Sequence, residues 1–264
     1  MKFLFAIFSA LFLMFSSASA QEVKKGTLTG QIMIKGNGPM AGGKVFVFND
    51  SSGPPPSRDK YWRVPDNIVR LDAEGRFSVD LPVGKYYLGA KKAMDGKDIG
   101  PPQEGDLFYA FSGEKGIPKV YNVEEGKKTD VGVIAEATPF RRELVKFSDG
   151  ITAIEGVIID DKNEPVQGAL VFAYIAPSMV GRPLFASERT GKDGRYILRV
   201  HEGGSYYLRV RSLYGGGPPA SGEIMGAYGM PEPVAVTVKS GEKVKDITIK
   251  VKRFAGRGVK SPVK

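Results

Sequence analysis

The sequence predicts an all-β protein: two tandem small antiparallel β-sandwich domains behind a cleaved signal peptide. Three observations predict this. Short runs of alternating apolar and polar residues recur along the chain. Gly and Pro, 34 and 18 of the 264 residues, make about a fifth of it turn formers, which favours many short strands over long helices. And one ordered series of anchor residues is written twice.

The leader comes first. Met1 and Lys2 form a basic start, 3–15 is an uncharged apolar run, and 16–20 closes with Ala18 and Ala20 in an A-x-A arrangement. This pattern predicts a signal peptide over 1–20, cut before Gln21. A retained anchor needs nearer twenty apolar residues, and without cysteine there is no lipoprotein acylation site. The expectation is an exported chain, periplasmic or secreted, that does not span the membrane after cleavage.

The duplication sets the domains. Gly30 returns as Gly156, and Pro39, Gly42, Val45, Phe46 and Phe48 return as Pro165, Gly168, Val171, Phe172 and Tyr174. Gly75-Arg76-Phe77 returns as Gly194-Arg195-Tyr196, at a spacing that leaves the first copy seven residues longer between these blocks. The extra residues are placed in 49–64. Gly84-Lys85-Tyr86-Tyr87-Leu88 matches Gly204-Ser205-Tyr206-Tyr207-Leu208, and Gly100-Pro101-Pro102 matches Gly217-Pro218-Pro219. Pro118 and Gly126 recur as Pro233 and Gly241. Two homologous domains follow, 27–137 and 151–253, with a linker over 138–150 and a basic tail over 254–264.

Period-two alternation places the strands. In the second copy Ile154, Gly156 and Ile158 share a face, then a polar turn from Asp160 to Glu164 precedes Pro165. Ala169, Val171 and Ala173 share the next face. Tyr196, Leu198 and Val200 follow a Lys192-Asp193-Gly194 turn, then come Tyr206, Leu208 and Val210, and finally Ile247, Ile249 and Val251. Each sheet thus buries one face. One helix is expected, over 140–147, where Phe140, Leu144 and Phe147 fall at helical spacing.

Composition excludes several chemistries. With no Cys and the single His201, structural zinc, iron–sulfur and disulfide chemistry cannot be built from this chain, and no G-x-S-x-G, H-E-x-x-H or P-loop motif occurs. No cofactor, metal or catalytic residue is expected. His201 reads as a surface residue, and the turn from Asp160 to Glu164 as a hairpin rather than a calcium loop, since its spacing is not that of a twelve-residue site.

The duplicated anchors resemble the carboxypeptidase regulatory-like domain, a prealbumin-like sandwich of the transthyretin-like and carbohydrate-binding-like group. The residues that carry the resemblance are Gly156, Asp160, the run from Pro165 to Val171, Thr190, Asp193-Gly194-Arg195-Tyr196 and Gly204-Ser205-Tyr206. In the first copy they are Gly30, Pro39, Gly42, Asp72 with Gly75-Arg76-Phe77, and Gly84-Lys85-Tyr86. The resemblance implies a sandwich fold and an accessory, adhesive or sugar-binding role. The zinc carboxypeptidase domain for which the family is named is missing, because His201 has no second histidine.

Ligand candidates lie where loops exceed a minimal sandwich. The first is the proline-rich insertion 49–67, whose Tyr61 and Trp62 read as a platform held out for a sugar or partner, the alternative being that Trp62 folds back as a lid over the open end of the sandwich. The second is duplicated: Asp106 and Phe111 correspond to Glu223 and Tyr228. These residues read either as a binding crest or as packing, with the acid satisfying backbone donors of the turn. The C-terminal stripe 250–264, with Lys250, Lys252, Arg253, Arg257, Lys260 and Lys264, carries most of the formal charge of +9, and the tail suits an anionic surface. Nucleic acid is not expected. The reading is a non-catalytic module binding a carbohydrate or an envelope or surface protein; the alternative is a structural spacer or scaffold subunit of an envelope assembly.

Overall fold

A computed structural model of the chain describes residues 23–94, 99–110, 118–145, 148–214 and 217–256. The signal peptide expected over 1–20, Phe111 and the basic tail from 257 onward lie outside them. The first domain contributes β1 (Lys25–Ile34), β2 (Lys44–Asn49), β3 (Trp62–Arg63), β4 (Asn67–Arg70), β5 (Arg76–Pro82), β6 (Gly84–Lys92), β7 (Leu107–Tyr109), β8 (Tyr121–Val123) and β9 (Lys128–Pro139). The second contributes β10 (Thr152–Ile159), β11 (Leu170–Tyr174), β12 (Phe185–Ala186), β13 (Arg195–Val200), β14 (Gly204–Arg211), β15 (Ile224–Ala227), β16 (Ala235–Val238), β17 (Lys243–Val244) and β18 (Ile249–Arg253).

The two copies fold alike. Strands run β4-β2-β6-β7-β9-β1-β5 across the first domain, with β8 also on β6. In the second the order is β12-β11-β14-β15-β18-β10-β13, with β16 on β14 and β17 on β10. Each sheet curls over one core. Leu28, Val45, Phe77 and Leu88 fill the first, and Ile154, Val171, Leu198 and Leu208 the second. Pairing is antiparallel except that the first and last strands of each domain lie parallel, β1 on β9 and β10 on β17 and β18. Such a pair needs a long connection, and the body of the domain supplies it.

The duplicated glycines have local causes. Gly75 and Gly194 take φ of 73° and 67° in the turns before β5 and β13, a region open to glycine. Asp72 completes its turn by accepting from the amides of Glu74 and Arg76. Gly156 sits where a Cβ would stand 1.9 Å from the Ile247 carbonyl oxygen, so only glycine lets the last strand approach β10.

The helix expected over 140–147 is not formed in the described part of that span. Its helical content is one 3-10 turn, Arg142–Leu144, and Lys146 and Phe147 lie outside the described residues. The reason is backbone pairing: Phe140 donates to the Asp106 carbonyl and accepts from Gly105, which prolongs β9 as an extended chain. Phe140 is buried against Trp62 and Phe108 instead of leading a helix.

Candidate functional site

The insertion of the first domain crosses to the second. Arg63 organises it, its guanidinium donating to the carbonyls of Gly53 and Pro54 at 3.0 and 2.7 Å and pairing with Asp66 at 3.0 Å. The stiffened loop then lays β3 against β12, with Trp62 opposite Ala186 and Arg63 opposite Phe185. The Val64 amide donates to Leu184, and Arg182 reaches back to the Val64 carbonyl at 2.7 Å and to Asp66 at 2.6 Å. β3 thereby becomes the edge strand of the second domain's sheet.

Tyr61 and Trp62 are both buried by this crossing. Tyr61, 3% exposed, belongs to the core of the second domain, edge-on to Phe185 and His201 at 5.3 Å each. Its hydroxyl donates to Pro55 at 2.6 Å, and burial pushes its pKa up to about 12. Trp62, 8% exposed, packs edge-on to Phe108 and Phe140 and carries Arg199 of β13 over its ring at 5.9 Å. Its indole N–H points to Glu188 at 3.4 Å. Neither ring is held out as a platform. Trp62 is enclosed from both sides, by Phe108 and Phe140 of its own domain and by Arg199 and Glu188 of the neighbouring one.

The duplicated acids form matching buried ion pairs. Asp106 faces Lys91 at 3.4 Å and accepts from the amides of Met94 and Gln103. Glu223 meets Arg211 through two bonds of 2.6 and 2.8 Å and accepts from the Ala220 amide. Burial would raise the Glu223 pKa, yet the bonds from Arg211 and Ala220 hold it below the usual carboxylate value. Lys91 and Arg211 occupy the same place in the repeat, each late in the long central strand. Both acids thus close their turns from inside and leave no carboxylate face for a hydroxyl ligand. Tyr228 is half-buried on the second core and anchors its turn by donating its amide to the Leu208 carbonyl.

Sequence reasoning missed the partners of these residues. Phe185 and Glu188 carry no motif, Phe108 lies in the duplicated stretch between Asp106 and Phe111 but matches Met225 there, not an aromatic, and Arg199 breaks its strand's alternation: it lies on the outer face yet is 4% exposed. The one available signal was the cation repeated at Lys91 and Arg211, which mirrors the repeated acid. His201 is exposed on one side and touches Tyr61 on the other. Asp160 accepts from the amides of Lys162 and Glu164, which is turn chemistry. Among the described residues no group of three or more His, Asp or Glu could hold a metal ion, and no helix is long and apolar enough to cross a membrane.

No protein-family model matches the chain, that of the carboxypeptidase regulatory-like domain included, and no curated protein matches it. Solved structures resemble it distantly. A streptococcal ancillary pilin is 14% identical with a TM-score of 0.25, over 88% of this chain and 63% of that one. The minor pilin of Streptococcus agalactiae is 13% identical with a TM-score of 0.25, over 90% of this chain and 100% of that one. A DUF3823 family protein from Parabacteroides merdae is 12% identical with a TM-score of 0.24, over 83% and 99%. The chain thus spans less than two thirds of the length of the ancillary pilin.

Proposed function

We propose that this chain is a non-catalytic, exported spacer or scaffold subunit of an envelope or surface assembly. The observation that carries the reading is the β3–β12 pair: the aromatic insertion holds two sandwich domains in one orientation. Linked domains move relative to one another unless their interface is apolar and extensive. Here a shared sheet, Tyr61 in the second core, the Arg199 guanidinium over Trp62 and the Arg182–Asp66 ion pair join them. Duplicated buried ion pairs stiffen the turns at equivalent places in both domains. A fixed two-domain body suits a part that sets distance and angle between its neighbours.

Spin labels at exposed Lys35 and Lys245 test the rigidity. One narrow distance distribution is expected, and a broad one would sink the spacer. In cells, site-specific crosslinking from the same positions is expected to trap one defined high-mass complex that added neutral sugars do not displace. Saturable binding of a neutral glycan with no such complex would favour the sugar-binding reading instead.

A further inference from the structure

A cleft of about 320 Å3 opens where the linker, the segment before β13 and the outer face of β13 meet. That volume lies within the range of small-molecule sites. Its lining is strongly cationic. Arg142 comes from the linker, Arg195 and Arg199 from β13, Arg189 from the segment before it, and Lys243 from β17, against the two carboxylates Glu188 and Asp193. Between the two β13 arginines lies Ile197, 50% exposed, with the start of β10's approach, Ile151, beside it.

Arg189 spends its guanidinium on the carbonyls of Gly168 and Ser212, and among the described residues lining the cleft the four other cations still outnumber the two carboxylates. Glu188 is shared: Arg142 pairs with it at 2.5 Å, Arg199 at 3.6 Å, and the Trp62 indole also points to it. Asp193 reaches Arg195 only at 3.8 Å, with both side chains largely in solvent. Lys243 leans on Glu155 at 3.5 Å at the rim. Arg199 is held rigidly at the back, over the Trp62 ring and against the Arg58 carbonyl, so its position is set before any ligand arrives.

We propose that this cleft binds a multivalent organic carboxylate, its charged groups meeting the arginine forks while its apolar face lies on Ile197. Guanidinium groups favour carboxylates because the planar fork matches two oxygens at once. Several cations spread around an apolar floor call for more than one carboxylate on a carbon body, which a bare inorganic ion lacks. The site is independent of the spacer reading, though the strap that joins the domains also positions Arg199.

Calorimetric titration of the chain lacking 1–20 tests the proposal, with citrate, a galacturonate trimer, neutral maltotriose and sodium sulfate as probes. Saturable binding of citrate or of the galacturonate trimer is expected, the first naming a small acid and the second an acidic saccharide as the source of the carboxylates. The double substitution Arg142→Gln, Arg195→Gln is expected to weaken it at least about tenfold. Both side chains are largely exposed, so the melting temperature should hold. Absence of saturable binding for both carboxylates, equal binding of maltotriose, or binding unchanged in the double variant overturns the proposal. Sulfate binding as tightly as the carboxylates would mean an adventitious ion only, and overturns it equally.

Discussion

Tyr61 of the first domain's insertion stands edge-on to Phe185 of the second, ring centroids 5.3 Å apart and planes at 69°. The contact places a residue from one domain inside the hydrophobic core of the other. The stability of the second domain therefore depends on a loop that its own repeat does not contain.

Replacing Tyr61 by Ala removes a core ring, and a large aromatic truncation costs about 3–5 kcal/mol. The loss is expected in the second domain's unfolding, read by calorimetry together with the spread of the Lys35–Lys245 distance. A transition that shifts only in the first domain would contradict the crossing.

Trp62 is the single tryptophan, so its fluorescence reports the junction directly. Its emission is expected to be blue-shifted and poorly quenched by acrylamide in the native chain. Arg63→Ala, which removes the guanidinium that organises the loop, is expected to raise quenching toward that of a free indole.

Removing one partner of a buried ion pair leaves the other uncompensated, at a cost of about 3–5 kcal/mol. Glu223→Ala is expected to lose that much in urea unfolding, since Arg211 is nearly fully enclosed beside it. The double substitution Arg211→Met, Glu223→Leu is expected to recover most of the loss. Additive losses from the two sites would show that the pair is not coupled.

Glu223 and Tyr61 contribute to opposite limits of the pH range, the second alongside other buried tyrosines such as Tyr87 and Tyr196 that are raised the same way. The folded Glu223 carboxyl sits below its ordinary value of 4.5, so its stabilisation is complete above that value and is lost as pH falls through the lowered one. Tyr61 is neutral in the fold and ordinarily titrates near 10; its contribution is complete below 10 and lost as pH rises toward about 12. Glu223→Gln is expected to make the acid limb of the stability profile shallower, and Tyr61→Phe the alkaline limb, each by the contribution of one group among several.

Gly156→Ala is expected to destabilise strongly, because the added carbon meets backbone at the Ile247 carbonyl, which cannot move away as a side chain would. Gly38→Ala, with nothing within 4 Å, is expected to be near neutral. Equal melting temperatures for the two variants would refute the close approach.

The repeat was legible because core and turn chemistry are local. Gly75 and Gly194 announce their turns, and Leu198 and Val200 announce their buried face, through spacings of a few residues. The duplicated acids were legible as positions but not as pairs, since Lys91 and Arg211 reach them only across a loop. The helix expected at Phe140 failed for a related reason: its backbone finds Asp106, far away in the chain, before it can turn on itself.

By itself the sequence determined an all-β chain of two small β-sandwich domains, because period-two patterning, paired glycines and turn residues act within each copy. It also determined that one copy carries extra residues. Where those residues go was decided by tertiary structure alone. Tyr61 and Trp62 have the same apolar character on a platform, over their own sandwich or between domains. The gap that fits them is made by Phe108 and Phe140 on one side and Phe185 and Arg199 on the other, and only the folded chain brings those four together.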